Sequence, residues 1–148
     1  MTTDQTRATT EPRVLFVCVR NGGKSQMAAG LLRQSADRHG LDVQVSSAGT
    51  RAGDALNAQS VASLAEVGVD ISSARTHQLT DDDVRDADLV VVLGSEARVE
   101  PVDGTPVEVW ETDEPSTRGI EGVDRMRLVR DDIAARVEAL VRRLQQPA

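Results

Sequence analysis

Apolar residues along this chain fall into two patterns. Val14-Leu-Phe-Val17, Val43-Gln-Val45, Leu89-Val-Val-Val-Leu93 and Val107-Glu-Val-Trp110 are short runs rich in β-branched residues, which predicts four strands. Between and after them, apolar positions recur every three or four residues, the spacing of a helix with one buried face. The first such segment runs from Ser25 to about His39, with Met27, Ala28, Leu31 and Leu32 on one face and Gly40 placed to end it. The second opens at Asn57, carries Val61, Leu64 and Ala65, and ends at Gly68. Thr80-Asp-Asp-Asp83 resembles a capped helix start, because a threonine oxygen and an aspartate can satisfy the first free amides. Val123, Met126, Ile133, Val137, Leu140, Val141 and Leu144 mark a long C-terminal amphipathic helix.

Helices separate the strands throughout, and the run 89–93 is apolar on both faces, as in the middle of a parallel sheet. The expected fold class is therefore α/β, a four-stranded parallel sheet with helices on both faces. Such sheets bind ligands beyond the carboxyl ends of their strands, near a switch in strand order. Cys18 follows directly on the first strand, at such an end.

Size and charge narrow the picture. A chain of 148 residues, 39% of them hydrophobic, suffices for one core, so residues 13–148 are expected to form one domain. Residues 1–12 are polar, threonine-rich and without periodicity, which predicts a flexible N-terminal extension. The net charge is −7, with no block of basic residues, so the summed field repels a phosphate backbone and no nucleic-acid partner is expected. No stretch is apolar enough for a signal peptide or a bilayer span. The expectation is a cytoplasmic protein without membrane contact. A single cysteine forms no internal disulfide and no thiolate metal cluster, so neither a metal site nor a bound cofactor is expected. Any redox chemistry must borrow a second thiol from outside the chain. The pattern leaves the oligomeric state open.

That cysteine and the only lysine stand six residues apart, in Cys18-Val-Arg-Asn-Gly-Gly-Lys24-Ser25, while the sixteen other basic residues are all arginines. A helix N-terminus and adjacent cations favour a thiolate over a thiol. Both are present here, since a helix starts at Ser25 with Arg20 and Lys24 close by. Gly22 and Gly23 let the backbone turn freely, and Asn21 belongs to the few non-glycine types that tolerate a left-handed conformation. Successive amides in such a turn form an anion-binding concavity. Val19, Arg20, Asn21, Gly22, Gly23, Lys24 and Ser25 are thus candidate oxyanion-binding residues beneath a Cys18 nucleophile. A cysteine at a strand end is often only a small buried hydrophobe, a reading the following seven residues disfavour. A nucleotide-binding loop of the form Gly-x4-Gly-Lys-Ser fails on spacing, because its first glycine falls on Cys18.

These residues resemble the low-molecular-weight protein tyrosine phosphatases and the arsenate reductases that share their fold. The family signature is Cys-x5-Arg-Ser/Thr with an asparagine three residues after the cysteine. Cys18, Asn21 and Ser25 match it, and Lys24 replaces the arginine. Ser47-Ala-Gly-Thr50 resembles the segment that follows the family's second strand, and Asp113-Glu-Pro115 stands in the place of its late Asp-Pro loop. Cys18-Val-Arg-Asn-Gly-Gly-Lys-Ser-Gln-Met27 is similar to the loop of an actinobacterial branch of arsenate reductases that uses mycothiol and lacks resolving cysteines.

The resemblance implies an arsenate-mycothiol transferase. Its substrates would be arsenate and mycothiol, and a mycoredoxin would act downstream to release arsenite. It implies Cys18 as nucleophile, Ser25 as a donor to the thiolate, and Lys24 as the cation that stabilises charge building in the transition state. The departing oxygen needs a proton, and Asp113 and Glu114 compete to supply it. Alignment on Pro115 favours Glu114. Whether Cys18 bonds arsenic before mycothiol arrives is open at this point.

The alternative is a phosphatase acting on phosphotyrosine or a small phosphate ester. Lysine offers a point charge where the family arginine offers a planar fork, and the chain has no tyrosine and only Trp110 to flank a substrate ring. Both features favour the small inorganic substrate. A third reading is an oxyanion-binding sensor without turnover. Trp110 reads as core, Ser47 and Thr50 as braces for the loop or a plain turn, and His39 and His77 take no role.

Overall fold

A computed structural model of the chain describes residues 11–146. The expected extension thus lies mostly outside the described residues, although the carbonyl of Pro12 already accepts a 2.9 Å hydrogen bond from the Gln44 amide. Four strands, β1 (Arg13–Cys18), β2 (Gln44–Gly49), β3 (Leu89–Leu93) and β4 (Val107–Trp110), form one sheet in the order β2-β1-β3-β4. Every pairing is parallel. Four helices join and follow them: α1 (Lys24–Arg38), α2 (Ala58–Ala65), α3 (Asp81–Asp86) and α4 (Gly122–Gln145), with a 3-10 turn at Pro115–Arg118.

β1 alternates between two cores, as the two-residue period of a strand requires. Val14, Phe16 and Cys18 face the larger core, where Leu31 and Leu32 of α1 meet Ile133 and Val137 of α4. Leu15 and Val17 face the smaller one, closed by Val90, Val92 and Val84 of α3. Helices therefore cover both faces, unequally. Phe16 and Trp110 pack in the larger core with ring centroids 5.8 Å apart, so the one tryptophan is core as expected. The chain leaves β1 for β2 on one side and later returns to β3 on the other. The carboxyl end of β1, and Cys18 with it, is the switch point. Among the described residues, no helix is long and apolar enough to cross a membrane.

Several boundaries differ from the sequence pattern by a few residues, and two of these differences bear on the site. Helix α1 begins at Lys24, one residue early, with Gly23 at its N-cap. β2 continues past Val45 to Gly49, so Ser47, Ala48 and Gly49 lie inside the strand rather than after it, paired with Phe16, Val17 and Cys18. The pattern hid this because the second half of β2 is built from small residues. The reason lies at Gly49, where a Cβ would sit 2.7 Å from the Val19 carbonyl oxygen and 2.9 Å from the Arg20 carbonyl carbon. The loop that leaves β1 crosses directly over this position.

Gly49→Ala should therefore push the 19–21 backbone aside. Overpacking of this kind costs about 1–3 kcal/mol. Urea unfolding of the variant checks it, and an unchanged midpoint would mean that the loop does not need this close approach.

Candidate active site

The turn from β1 into α1 is tied at every carbonyl. Thr50 N donates to Cys18 O (3.0 Å), Arg51 N to Val19 O (2.8 Å), Gly53 N to Arg20 O (2.9 Å), Asn57 N to Gly22 O (2.7 Å) and Met27 N to Gly23 O (2.9 Å). The Asn21 carbonyl accepts from Gln26 Nε2 at 3.1 Å. No peptide bond is cis, and in a trans peptide the carbonyl and the following amide point in opposite directions. Carbonyls held outward from 18 to 23 thus turn the amides of Val19 to Lys24 into the hollow of the turn. One of them is seen engaged, as Asn21 N donates to Cys18 Sγ at 3.3 Å. The turn thus has the concave shape expected from the sequence, and segment 50–57 and α1 supply its ties.

Asn21 holds the interior together. It is fully buried and left-handed, with φ 59°, a conformation asparagine accepts more readily than most residues. Its Nδ2 donates to Ser25 Oγ (2.8 Å), and its Oδ1 accepts from the His77 amide (2.9 Å) and from Gln26 Nε2 (3.2 Å). Gln26 Nε2 also donates to Arg75 O at 3.0 Å. Ser25 Oγ lies 2.9 Å from Cys18 Sγ. Because Asn21 occupies a lone pair of that hydroxyl, the serine proton is free to point at the sulfur. The expected pairing of Ser25 with Cys18 is therefore in place, with Asn21 setting its direction.

Beside the loop opens a cavity of about 450 Å³ whose lining includes Cys18, Lys24, Ala55, Leu56, Arg125 and Met126. Arg20, Gly22 and Gly23 line it as well, whereas Asn21 lies buried behind the loop. Val19 turns its side chain to the smaller core. No aromatic residue is in the lining. Lys24 Nζ is 3.8 Å from Glu114 Oε1. Arg125 grips the same carboxylate with a planar fork, Nε to Oε2 at 2.7 Å and Nη2 to Oε1 at 2.9 Å, and Ser116 Oγ adds a bond of 2.8 Å. The Arg125 guanidinium holds the Glu114 carboxyl far below its ordinary value of 4.5, at about 2, against an opposing effect of burial.

Asp113 points elsewhere. Its carboxylate accepts two bonds from Arg118, at 2.8 and 3.1 Å, and that guanidinium lowers it below the usual carboxylate range. The role of proton donor expected of Asp113 or Glu114 needs a protonated carboxyl. In this structure both are ion-paired carboxylates, and only Glu114 reaches a residue of the loop.

Other residues carry the site without a sequence signal. Arg125 reaches the cavity from α4, eleven positions after its partner, a spacing that belongs to no local motif. Asn57 caps α2 through its side chain and ties Gly22 through its amide. Gln26 reads as one more polar helix residue until the fold buries it. Thr50 braces the loop through its backbone amide. His77 pairs with Asp83 at 2.8 Å and His39 with Glu138 at 3.3 Å, both away from the cavity.

Comparison with known proteins identifies the relatives of this chain. The family model for low molecular weight phosphotyrosine protein phosphatases matches residues 13–148. An arsenate reductase of Staphylococcus aureus is 33% identical over 133 residues, 87% of this chain and 95% of the relative. A putative arsenate reductase of Halobacterium salinarum is 30% identical over 124 residues, 82% of this chain and 85% of the relative. Among solved structures, a thioredoxin-dependent arsenate reductase of Corynebacterium glutamicum superposes with a TM-score of 0.76 at 32% identity. That match covers 96% of this chain and 66% of the other, so this chain spans slightly less than two thirds of that protein's length.

Two outcomes follow from the geometry. Asn21→Ala leaves buried partners unsatisfied, at about 1–3 kcal/mol for each such group. It should lower the urea midpoint and abolish binding of inorganic phosphate, and native-like phosphate binding would contradict the role given to Asn21. Glu114 is stabilised as an anion, so its contribution to stability is complete above pH 4.5 and is lost as pH falls toward about 2. The stability difference between the wild-type protein and Glu114→Gln, read from unfolding midpoints, should be largest above pH 4.5 and shrink below it. A constant difference would contradict the ion pairing.

Proposed function

The chain belongs to the low molecular weight phosphotyrosine protein phosphatase family, and from that premise we propose that it is an arsenate reductase that hands arsenic to mycothiol. The observation that carries the reading is a lone thiol in an oxyanion cradle beside a cavity without an aromatic wall. The chain has no tyrosine, and its Phe16 and Trp110 are both core residues. A phosphotyrosine ring would find no stacking partner there, whereas arsenate needs only amides, a cation and a nucleophile.

Arsenate rests on the inward amides of Val19 to Lys24, with Lys24 neutralising the charge that builds on its oxygens. Ser25 and the Asn21 amide hold the Cys18 thiolate on line. The sulfur bonds arsenic and one As–O bond breaks. Because Asp113 and Glu114 are held as carboxylates, both protons that turn the departing oxygen into water arrive with arsenate, as its dihydrogen anion, and the mycothiol proton passes to an arsenate oxygen when that thiol attacks in turn. Mycothiol sulfur then takes arsenic from Cys18, which leaves as thiolate, and arsenic stays at the +5 level throughout. A mycoredoxin thiolate attacks the mycothiol sulfur of the adduct. The S–As electron pair remains on arsenic, arsenite leaves, and a mixed disulfide keeps the oxidising equivalents. With one cysteine in the chain, the second and third sulfurs come from these partners, and the protein itself is never oxidised.

The family match favours a second reading, hydrolysis of a phosphate monoester on the same loop. Purified protein assayed for arsenite production with mycothiol and mycoredoxin, with thioredoxin, and for aryl phosphate hydrolysis separates the possibilities. Turnover with mycothiol and mycoredoxin is expected. Turnover with thioredoxin alone would overturn the choice of thiol, and fast aryl phosphate hydrolysis without arsenite production would overturn the reaction. Cys18→Ser should abolish arsenate turnover, and retained turnover would refute a covalent role for Cys18. Lys24→Arg should raise aryl phosphatase activity, because it restores a bidentate fork at this position.

A further inference from the structure

We propose that Arg125 is a second oxyanion-binding residue of this site, supplying from α4 the planar fork that position 24 lacks, and that Glu114 is the counter-ion which positions Arg125 and Lys24 and which the oxyanion displaces. The inference rests on the reading of the Cys18 loop as an oxyanion site and is independent of which thiol completes the reaction.

Three observations carry it. Arg125 lines the same cavity as Cys18 and Lys24, although it comes from a different element more than a hundred residues along the chain. Its side chain is about a quarter exposed and lines the cavity, whereas Arg127 and Arg130 of the same helix bind Glu66. Secondly, Glu114 reaches both cations but unequally. It meets Arg125 through two short bonds in fork geometry, whereas the Lys24 ammonium at 3.8 Å is beyond hydrogen-bonding distance. A carboxylate and one edge of a tetrahedral oxyanion present the same pair of oxygens to a guanidinium. Glu114 thus occupies on Arg125 the position that a ligand would take.

Thirdly, the cavity lining carries three cations, Arg20, Lys24 and Arg125, and one carboxylate, Asp54, in a chain whose net charge is −7, with Glu114 and Glu121 bearing on Arg125 from outside the lining. An acidic protein that binds an oxyanion needs a local excess of positive charge. Here that excess lies at the cavity, and Glu114 holds part of it in reserve. The Glu121 carbonyl accepts from the Arg125 backbone amide at 3.3 Å and its charge adds to the field around the side chain, but the guanidinium fork is bonded to Glu114, so releasing Glu114 leaves the fork free to turn.

The test uses Cys18→Ser protein, which binds without turnover, with inorganic phosphate and arsenate as probes in calorimetric titrations. Arg125→Gln in this background should weaken both anions about tenfold or more, the range of a lost charge-assisted hydrogen bond. Arg125→Lys, which keeps the charge and the fold but loses the fork, should recover only part of that loss. Glu114→Gln should tighten binding severalfold, because the competing anion is gone, and in the Cys18 enzyme it should lower KM and kcat together. A proton donor at Glu114 would instead lose kcat with binding unmoved. A purely structural Glu114 would give weaker binding, whereas a lower unfolding midpoint is expected on either account because the ion pair is lost. Native-like phosphate binding in Arg125→Gln, or unchanged or weakened binding in Glu114→Gln, overturns the inference alone. Failure of the Cys18→Ser protein to bind either anion overturns the oxyanion reading of the loop, and this inference with it.

Discussion

Every chemical property of this site depends on one constraint, the outward fastening of the carbonyls between Cys18 and Gly23. An amide aimed at a ligand is only as useful as its fixity, because a loop free to turn would present carbonyl oxygens to an anion as readily as amides. The chain solves this with partners drawn from two places: segment 50–57 holds four of the carbonyls, and the first turn of α1 holds the other two through the Gln26 side chain and the Met27 amide. The parallel pairing of β1 with β2 brings segment 50–57 there, since it carries the chain from Gly49 directly beneath the loop. The cradle is thus a consequence of strand order, and the small residues of β2 are its steric condition.

Charge is arranged on the same principle of fixed geometry. In a chain of net charge −7, Arg20, Lys24 and Arg125 come together in the cavity lining, and Lys24 and Arg125 both reach Glu114. The strong depression of the Glu114 carboxyl, to about 2, and the lowering of Asp113 by Arg118 both follow from guanidinium forks. Both residues are thus ion-paired carboxylates, of which only Glu114 reaches a residue of the loop.

Much of this was legible beforehand. The four strands, their parallel order and the helices on both faces follow from two periodicities, and the loop's chemistry follows from a cysteine, two glycines, an asparagine and a lysine within eight positions. The extent of β2 was not legible, because Ser46-Ser-Ala-Gly49 carries no strand signal and is small for a reason that only the crossing loop supplies. Gln26 looks like an ordinary polar residue until burial and a carbonyl partner give it work, and Asn57 reads only as a helix start until its amide meets the Gly22 carbonyl. Arg125 was invisible for a different reason, since one arginine among sixteen acquires meaning only from the neighbours that α4 gives it. Asp113 and Glu114 were legible as residues near the site, but their protonation was not, because it is set by arginines that no local spacing announces.

The central claim is that the amides of Val19 to Lys24 form the anion-binding surface above Cys18. Its most direct test is a titration of isotope-labelled protein with arsenate or phosphate, followed by amide NMR. The account predicts saturable shifts concentrated in residues 19–24, with smaller ones at Asn57 and Arg125. Shifts absent from this loop, or centred on another part of the surface, would contradict it.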